Sequence, residues 1–544
     1  MSHANLRSLA LVNAMVALWI VFTGNLSFFE KLLSLTPFDD WRAAMFISSA
    51  VILLWAYINF ALQWVTWGGF ARPVLTFILL ASAMTAFFVD TYGVGIDGGQ
   101  IQNMMETDFH EVMDLLSWHM LGYIVVLAGL PIFWLWRRPL TPENIWSRQR
   151  TRLFSSLISV LLVGAVALVF FADYASIFRN HREVRLLINP QNYVAGLRSY
   201  FRRSLPTQNE PLTLYGQDAH RLKSELASSK PVLMVLVVGE TARAESFGIN
   251  GHHRDTTPEL IERRVMSFTQ VSSCGTATAV SLPCMFSGFA RRDYDEGQAK
   301  TRENLLDILQ RAGYQVTWID NNSGCKGVCD RIAQQPVLAS KSATRCKEDK
   351  CHDDILADTL ETLLQHSPVR DQVIVLHQLG SHGPTYYKRY PDAFRRFQPT
   401  CDTNELQRCT QEQVVNTYDN TIAYTDHVLA RVIDILQAQE GRYRPAFWYV
   451  SDHGESTGEK GLYLHGAPYL FAPSQQTHIP MLAWLSPGFT ADQRMSCIRS
   501  RQHAELSHDN LFHTMLGLLK VGTDVYRPEL DIGACPITQA LSGG

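Results

Sequence analysis

The chain has no cysteine before residue 274, almost no net charge, no internal repeat and no low-complexity tract. A formal charge of −3 over 544 residues offers no basic field to nucleic acid, so no nucleic-acid partner is expected. That length exceeds what one ordinary core holds, so at least two structural units are expected. The mean hydropathy of −0.04 is equally bland. It averages over a sharp break near residue 180: the long apolar runs precede it, and all ten cysteines follow it.

About 20 mainly apolar residues cross a bilayer as a helix. Five segments qualify, near Leu9–Phe29, Ala43–Thr66, Val74–Val94, His119–Trp136 and Leu153–Phe178. Trp41, Trp67, Tyr92, Trp118 and Trp136 stand near their ends, where interfacial aromatics belong. The first segment resembles a signal peptide, but its apolar stretch is long and no small-residue cleavage site follows, so a retained anchor is expected.

The loop after the third segment contains no Lys or Arg and carries Asp97, Glu106, Asp108, Glu111 and Asp114. The loop after the fourth carries Arg137, Arg138, Arg148, Arg150 and Arg152 against Glu143 alone. The positive-inside rule puts the second loop in the cytoplasm. The N-terminus is then inside, and everything after Phe178 is outside. Arg179, Arg182 and Arg185 pull the other way, and five arginines outweigh three.

The cysteines bear on the same topology. Their number is even, and disulfides persist only in oxidising compartments. Sequential spacing predicts Cys274–Cys284, Cys325–Cys329, Cys346–Cys351, Cys401–Cys409 and Cys497–Cys535. A zinc ribbon is the alternative, but no Cys-x-x-Cys knuckle or matching histidine pattern is present.

Three regions follow: 1–178 as a five-helix membrane domain, 179–230 as an interfacial segment and linker, and 231–544 as an extracytoplasmic catalytic domain. In the second, Tyr193, Leu197, Tyr200 and Phe201 interleave with Arg198, Arg202 and Arg203. That pattern suits a helix in the headgroup layer or a surface helix of the soluble domain. Leu205–Gln217 reads as linker. In the third, strands are predicted at Val232–Val238, Gln315–Asp320, Gln372–Gln378, Ala446–Ser451 and Ile479–Leu485. Helices are predicted at Arg302–Ala312, Asp353–Gln365, Gln413–Gln437 and His508–Leu519. Unbroken Val/Ile/Leu strands mean a mostly parallel sheet covered by helices.

In such sheets ligands bind beyond the carboxyl ends of the strands. Those ends deliver Gly239-Glu240-Thr241, Asn321-Asn322-Ser323-Gly324-Cys325-Lys326, Gly380-Ser381-His382-Gly383 and Asp452-His453-Gly454-Glu455. Any one could be a cap or a solvated polar group; four on one rim predict a site. Glu240, Asp452 and His453 are ligand types that zinc accepts. The small-residue run Ser273–Ser281 offers a further hydroxyl at a helix start, where an attached phosphate gains from helix N–H groups.

The run Val237–Glu245, the segment Ser273-Cys274-Gly275-Thr276-Ala277-Thr278, Cys284-Met285-Phe286-Ser287, Ser381–Tyr387 and Ser451–Ser456 resemble the phosphoethanolamine transferases. The chain most resembles the branch that modifies lipid A, which includes the transferable colistin-resistance enzymes. The cysteine count is more similar to that of the chromosomal lipid A enzymes. The resemblance runs over the whole chain and implies five membrane spans followed by an alkaline-phosphatase-like, sulfatase-like α/β domain. It implies zinc held by Glu240, Thr278, Asp452 and His453, with Thr278, not Thr276, as nucleophile. It also implies that Asn322, Lys326, His382 and His465 line a pocket for phosphoethanolamine or a second metal. Asn103, Thr107 and Glu111 match substrate-contacting positions in the loop between the third and fourth spans.

The family chemistry implied is two in-line displacements. Phosphatidylethanolamine donates phosphoethanolamine to Thr278, and a lipid A phosphate then accepts it. A monomer in the inner membrane of a Gram-negative bacterium is expected, with lowered attraction of its surface for polymyxin-like peptides. Within the same superfamily, a sulfatase would need Cys/Ser-x-Pro-x-Arg, and Ser281-Leu282-Pro283-Cys284-Met285 lacks the arginine. A glycerol-phosphate polymerase shares the layout but would not be expected to carry five disulfides. A non-catalytic receptor binding an anion is the rival from another class; it predicts no phosphorylated threonine.

Overall fold

The computed structural model describes residues 8–106, 109–137, 144–204, 211–223, 230–337, 346–347 and 350–535. By contact the chain divides into two units: 1–101 with 116–200, and 102–115 with 201–544.

The first unit is a bundle of apolar helices. Asp40–Val65, Gly68–Tyr92, Trp118–Arg137 and Ile145–Asn180 are each long and apolar enough to cross a membrane. A fifth span exists if the bent pair Leu9–Gly24 and Leu26–Leu35 counts as one. The expected straight first helix is thus broken by 64°. The cause is Asn25, whose amide donates to Ile20 O (3.0 Å) and Asn189 O (3.1 Å). Asn189 N–H returns a bond to Asn25 Oδ1 at 2.9 Å. The shortest span bears a π-turn at Val125–Gly129. Pro131 has no N–H for the carbonyl of Leu127, and Trp19 Nε1 donates to that carbonyl at 2.8 Å instead.

Polar residues join helices inside this bundle: Asn13 Nδ2 donates to Gln63 and Thr66, and Asn59 Nδ2 to Ser155 and Ser159. Leu168, Phe171 and Phe133 stay exposed, as lipid-facing residues do. The helix Gln191–Ser204 packs Tyr193, Leu197 and Tyr200 against Val89, Ile96 and Ile101 of this unit. Those three residues meet the bundle, while Val194 and Phe201 of the same helix stay exposed.

The second unit is built on an eight-stranded sheet. In chain order its strands are β1 Val232–Gly239, β2 Met266–Ser272, β3 Gln315–Asp320, β4 Ala333–Pro336, β5 Gln372–His377, β6 Arg444–Ser451, β7 His478–Leu485 and β8 Glu505–Ser507. The spatial order is β8-β2-β7-β6-β1-β5-β3-β4. Pairing is parallel from β6 through β1, β5 and β3 to β4, whereas β7 runs antiparallel to both neighbours. Every residue of β1 is buried. Val232, Met234, Leu236 and Val238 join the core on one face, and Leu233, Val235 and Val237 the core on the other. Two-sided burial explains the unbroken apolar run. Helices Asp354–His366 and Gln411–Ala438 cover the latter face; Thr278–Ser287, Leu305–Arg311 and Asp509–Leu518 cover the former. The ten cysteines form five disulfides, 274–284, 325–329, 346–351, 401–409 and 497–535.

Candidate active site

Strand β1 ends at Gly239, between the ends of β5 and β6, so the next residue, Glu240, emerges at the centre of the rim. Strand β6 hands over directly to Asp452 and His453. All three are buried, and one ligand atom from each lies within 4.8 Å of the others. Gly454 is required behind them, because a Cβ there would collide with the carbonyl of Gln475.

Thr278 opens the helix Thr278–Ser287. Its hydroxyl lies 3.0 and 3.2 Å from the two carboxylate oxygens of Glu240 and 3.3 Å from His453 Nε2. The loop before it is pinned by the Cys274–Cys284 bond and by Gly275 N–H donating to Ser281 Oγ at 2.8 Å. Thr276 points elsewhere: its hydroxyl donates to Ala467 O at 2.6 Å.

The hydrogen-bond pattern states what the centre is built to hold. His453 Nδ1 is 2.9 Å from Gly454 O and must donate there, so Nε2 presents a lone pair. That lone pair faces Asp452 Oδ2 at 3.3 Å and Glu240 Oε1 at 3.5 Å. Asp452 Oδ1 accepts from the N–H groups of Thr241 and His453, while Oδ2 is buried with no hydrogen-bond partner. Burial pushes the His453 pKa down to about 4, so a proton on its imidazole does not resolve the conflict. Convergent lone pairs on N and O donors fit a divalent cation such as zinc. Glu240, Asp452, His453 and the Thr278 hydroxyl are the groups that would hold it.

Around this centre Asn322 Nδ2 donates to Glu240 Oε2 at 2.8 Å. His465 Nδ1 binds Glu455 Oε2 at 2.9 Å, and Tyr386 OH donates to the other oxygen of Glu455 at 2.5 Å. The ring of His465 lies 4.4 Å from that of His453 and 5.5 Å from that of His382. Lys326 Nζ is 3.3 Å from Ser323 O and Oγ, and 3.4 Å from Glu106 O. Asn103 lies in the helix Gly98–Glu106. Thr107 falls outside the described residues, as does the side chain of Glu111.

Three supporting residues were not anticipated. Asp320 closes β3 and binds His377 Nδ1 at 3.0 Å, and His377 Nε2 is 3.3 Å from Asn322 Nδ2. His508 accepts from Cys274 N–H at Nδ1 (3.0 Å), which leaves Nε2–H to donate to Ser451 O at 2.9 Å. It ties the loop before Thr278 to the strand that leads into Asp452. Only a histidine preceding a helix marks it in the sequence, which is too common a signal to use.

Burial holds the His508 pKa at about 4, below its ordinary 6.5. The unfolded chain therefore binds its proton first, and stability contributed by neutral His508 is lost as pH falls from about 6.5 toward 4. Lowering pH from 7 to 5 should cost on the order of 1–2 kcal/mol through this residue. In thermal unfolding of the detergent-purified protein, His508→Gln should show a smaller drop in midpoint between those pH values than the parent; equal drops would refute this.

A mostly parallel sheet with a threonine and three residues able to hold a metal ion at its carboxyl rim defines an alkaline-phosphatase-like, sulfatase-like domain, here attached to a multi-pass membrane unit. Residues 233–521 match the sulfatase family, and residues 54–205 match the family described as phosphoethanolamine transferase EptA/EptB. The chain is 42% identical over 517 residues to phosphoethanolamine transferase EptA of Salmonella typhimurium, covering 93% of each. It is 36% identical over 524 residues to phosphatidylethanolamine transferase Mcr-1 of Escherichia coli, covering 94% of this chain and 95% of that one. The solved structure of lipooligosaccharide phosphoethanolamine transferase A from Neisseria meningitidis superposes with a TM-score of 0.92 at 38% identity, covering 96% of this chain and 98% of that one. The chain belongs to the EptA/EptB phosphoethanolamine transferase family.

Proposed function

We propose that the protein moves phosphoethanolamine from phosphatidylethanolamine to a phosphate of lipid A, through a phosphothreonine at Thr278. The observation that carries this reading is the Thr278 hydroxyl, set 3.0 Å from Glu240 at the start of a helix. A relative named Kdo(2)-lipid A phosphoethanolamine 7''-transferase, 25% identical over 484 residues in Salmonella typhimurium, supports lipid A as the molecule that accepts the group.

Zinc, when bound, would supply Lewis-acid stabilisation and lower the pKa of a hydroxyl it touches. The chain's own groups do the rest. Thr278 Oγ gives up its proton and bonds to phosphorus as the glycerol oxygen leaves; that oxygen takes a proton, and diacylglycerol departs. The helix start offers N–H groups to the anionic phosphoryl oxygens. Lys326 adds a donor, Asn322 holds Glu240 in place, and Glu455 with Tyr386 keeps His465 turned. In the second step a lipid A phosphate oxygen bonds to the same phosphorus, and Thr278 Oγ leaves with that phosphate's proton. The product carries an added ammonium, which weakens the attraction of polymyxin and other cationic peptides. The intact mass of lipid A from cells with and without the protein tests the reading. One phosphoethanolamine increment is expected; polyglycerol phosphate instead would refute it.

The α/β unit is placed in the periplasm and the N-terminus in the cytoplasm. Five disulfides and the arginine-rich loop support that orientation. The structure contains no free cysteine, so single introduced thiols report cleanly. In intact inner-membrane vesicles turned right side out, Met105→Cys should react with an impermeant maleimide and Ser147→Cys should not. The reverse pattern would invert the topology.

A further inference from the structure

The segment Gln102–Leu115, which follows the third span in sequence, groups by contact with the α/β unit. Its attachment centres on Asp114, an acid only 8% exposed. One carboxylate oxygen accepts from Lys388 Nζ at 2.7 Å; the other accepts from Thr385 Oγ1 and Arg389 Nη2, each at 2.9 Å. The Asp114 carbonyl also accepts from Asn404 Nδ2 at 2.9 Å. Burial would raise the Asp114 pKa, but Arg389 and Lys388 outweigh it and hold the carboxyl at about 2. The N-terminal end of the segment is held as well: Gln102 Nε2 donates to Glu296 at 2.5 Å, and Lys300 lies 2.7 Å from Glu296 and 3.7 Å from Glu106.

Arg389 does more than neutralise Asp114. It is itself 5% exposed, and its Nε donates to the backbone oxygen of His382 at 2.7 Å. One planar guanidinium thus joins the inter-span segment to the turn that carries His382, whose ring lies 5.5 Å from that of His465. Lysine offers a single point donor on a flexible stem and cannot reproduce such a two-ended bridge.

We propose that Asp114 docks the Gln102–Leu115 segment onto the α/β unit and, through Arg389, is a positioning residue for His382 in phosphoethanolamine transfer. An ion pair serving stability alone would need only the Asp114 end of the guanidinium. The second bond couples the segment's seating to the backbone at a pocket histidine. The inference rests on the proposed function to the extent that His382 is taken to face the phosphoryl group.

The test uses the full-length protein in detergent, with phosphatidylethanolamine in mixed micelles and lipid A as acceptor. Asp114→Asn and Arg389→Lys should each lower kcat/KM by about 10- to 100-fold, the range that a misplacement of about 1 Å can cause. The double variant should be no worse than the poorer single one, because both break one link. Hydrogen exchange in peptides covering Gln102–Leu115 should rise in Asp114→Asn, while peptides of β1 keep their protection; this separates undocking from failure to fold. Parent-like kinetics in Arg389→Lys, losses that multiply in the double variant, or unchanged exchange would each overturn the proposal. An inactive parent would instead refute the proposed function and leave the exchange result to judge the docking.

Discussion

Thr278→Ala is expected to abolish phosphoethanolamine transfer, with a loss of at least about 10³-fold, while the protein stays folded. Removing the proposed nucleophile closes the proposed two-step route, and what binding and electrostatics alone retain is small. The fold should survive because alanine suits the first turn of a helix. The hydroxyl's neighbours, Glu240 and His453, are held independently by Asn322 and by Gly454. Thr278→Ser keeps the oxygen and should keep measurable transfer. Two measurements check this: the mass of lipid A from cells carrying each variant, and tryptic peptides from the purified protein incubated with donor alone. The parent should yield a Thr278 peptide heavier by one phosphoethanolamine; the alanine variant should not. Undiminished lipid A modification by Thr278→Ala would end the proposal.

Stripping the protein with a strong chelator should remove activity and also lower its thermal midpoint, and added zinc should restore both. The physical reason lies in the site itself. Glu240 and Asp452 are buried carboxylates facing the lone pair of one imidazole, and Asp452 Oδ2 has no hydrogen-bond donor. Without a cation these groups repel one another; with one, binding free energy adds to stability by mass action, about 4 kcal/mol at a thousandfold excess over Kd. The repulsion gives a prediction of opposite sign for one variant. Asp452→Asn should be less stable than the parent when both hold metal, and more stable than the parent after both are stripped, because it removes one of the two facing charges. Calorimetry of the four samples distinguishes these orders. A parent whose midpoint ignores the chelator would argue against a metal at this site.

Much of the design was visible in composition and order. Hydropathy over about 20 residues is a local property, so the apolar spans stand out without knowledge of their neighbours. The central strands were equally plain, because a strand buried on both faces must be apolar at every position, as β1 is. Once the parallel strands were placed, the rule that sites form beyond their carboxyl ends singled out Glu240, Asp452 and His453, which the structure brings within 4.8 Å. The flanking strands were not visible. β2 reads Met-Ser-Phe-Thr-Gln-Val-Ser, with four polar residues in seven, and β4 and β8 are short edges. Such strands exist through the neighbours they pair with, not through their own sequence.

The bilayer-length helices, the confinement of cysteines to the region after residue 180 and the residues at the strand ends follow from the chain read locally, since each depends on a run of neighbouring residues. Tertiary contact decided the rest. Asn25 breaks the first helix because Asn189, 164 residues later, meets it. Asp320, His377 and His508 support the centre only because β3, β5 and the start of a late helix come together behind it. Asp114 is one of five acids in a loop, indistinguishable from the other four until the fold sets Arg389, 275 residues away, against it. Pairings over such separations leave no local periodicity, because the geometry that joins them belongs to the packed chain and to no single stretch of it.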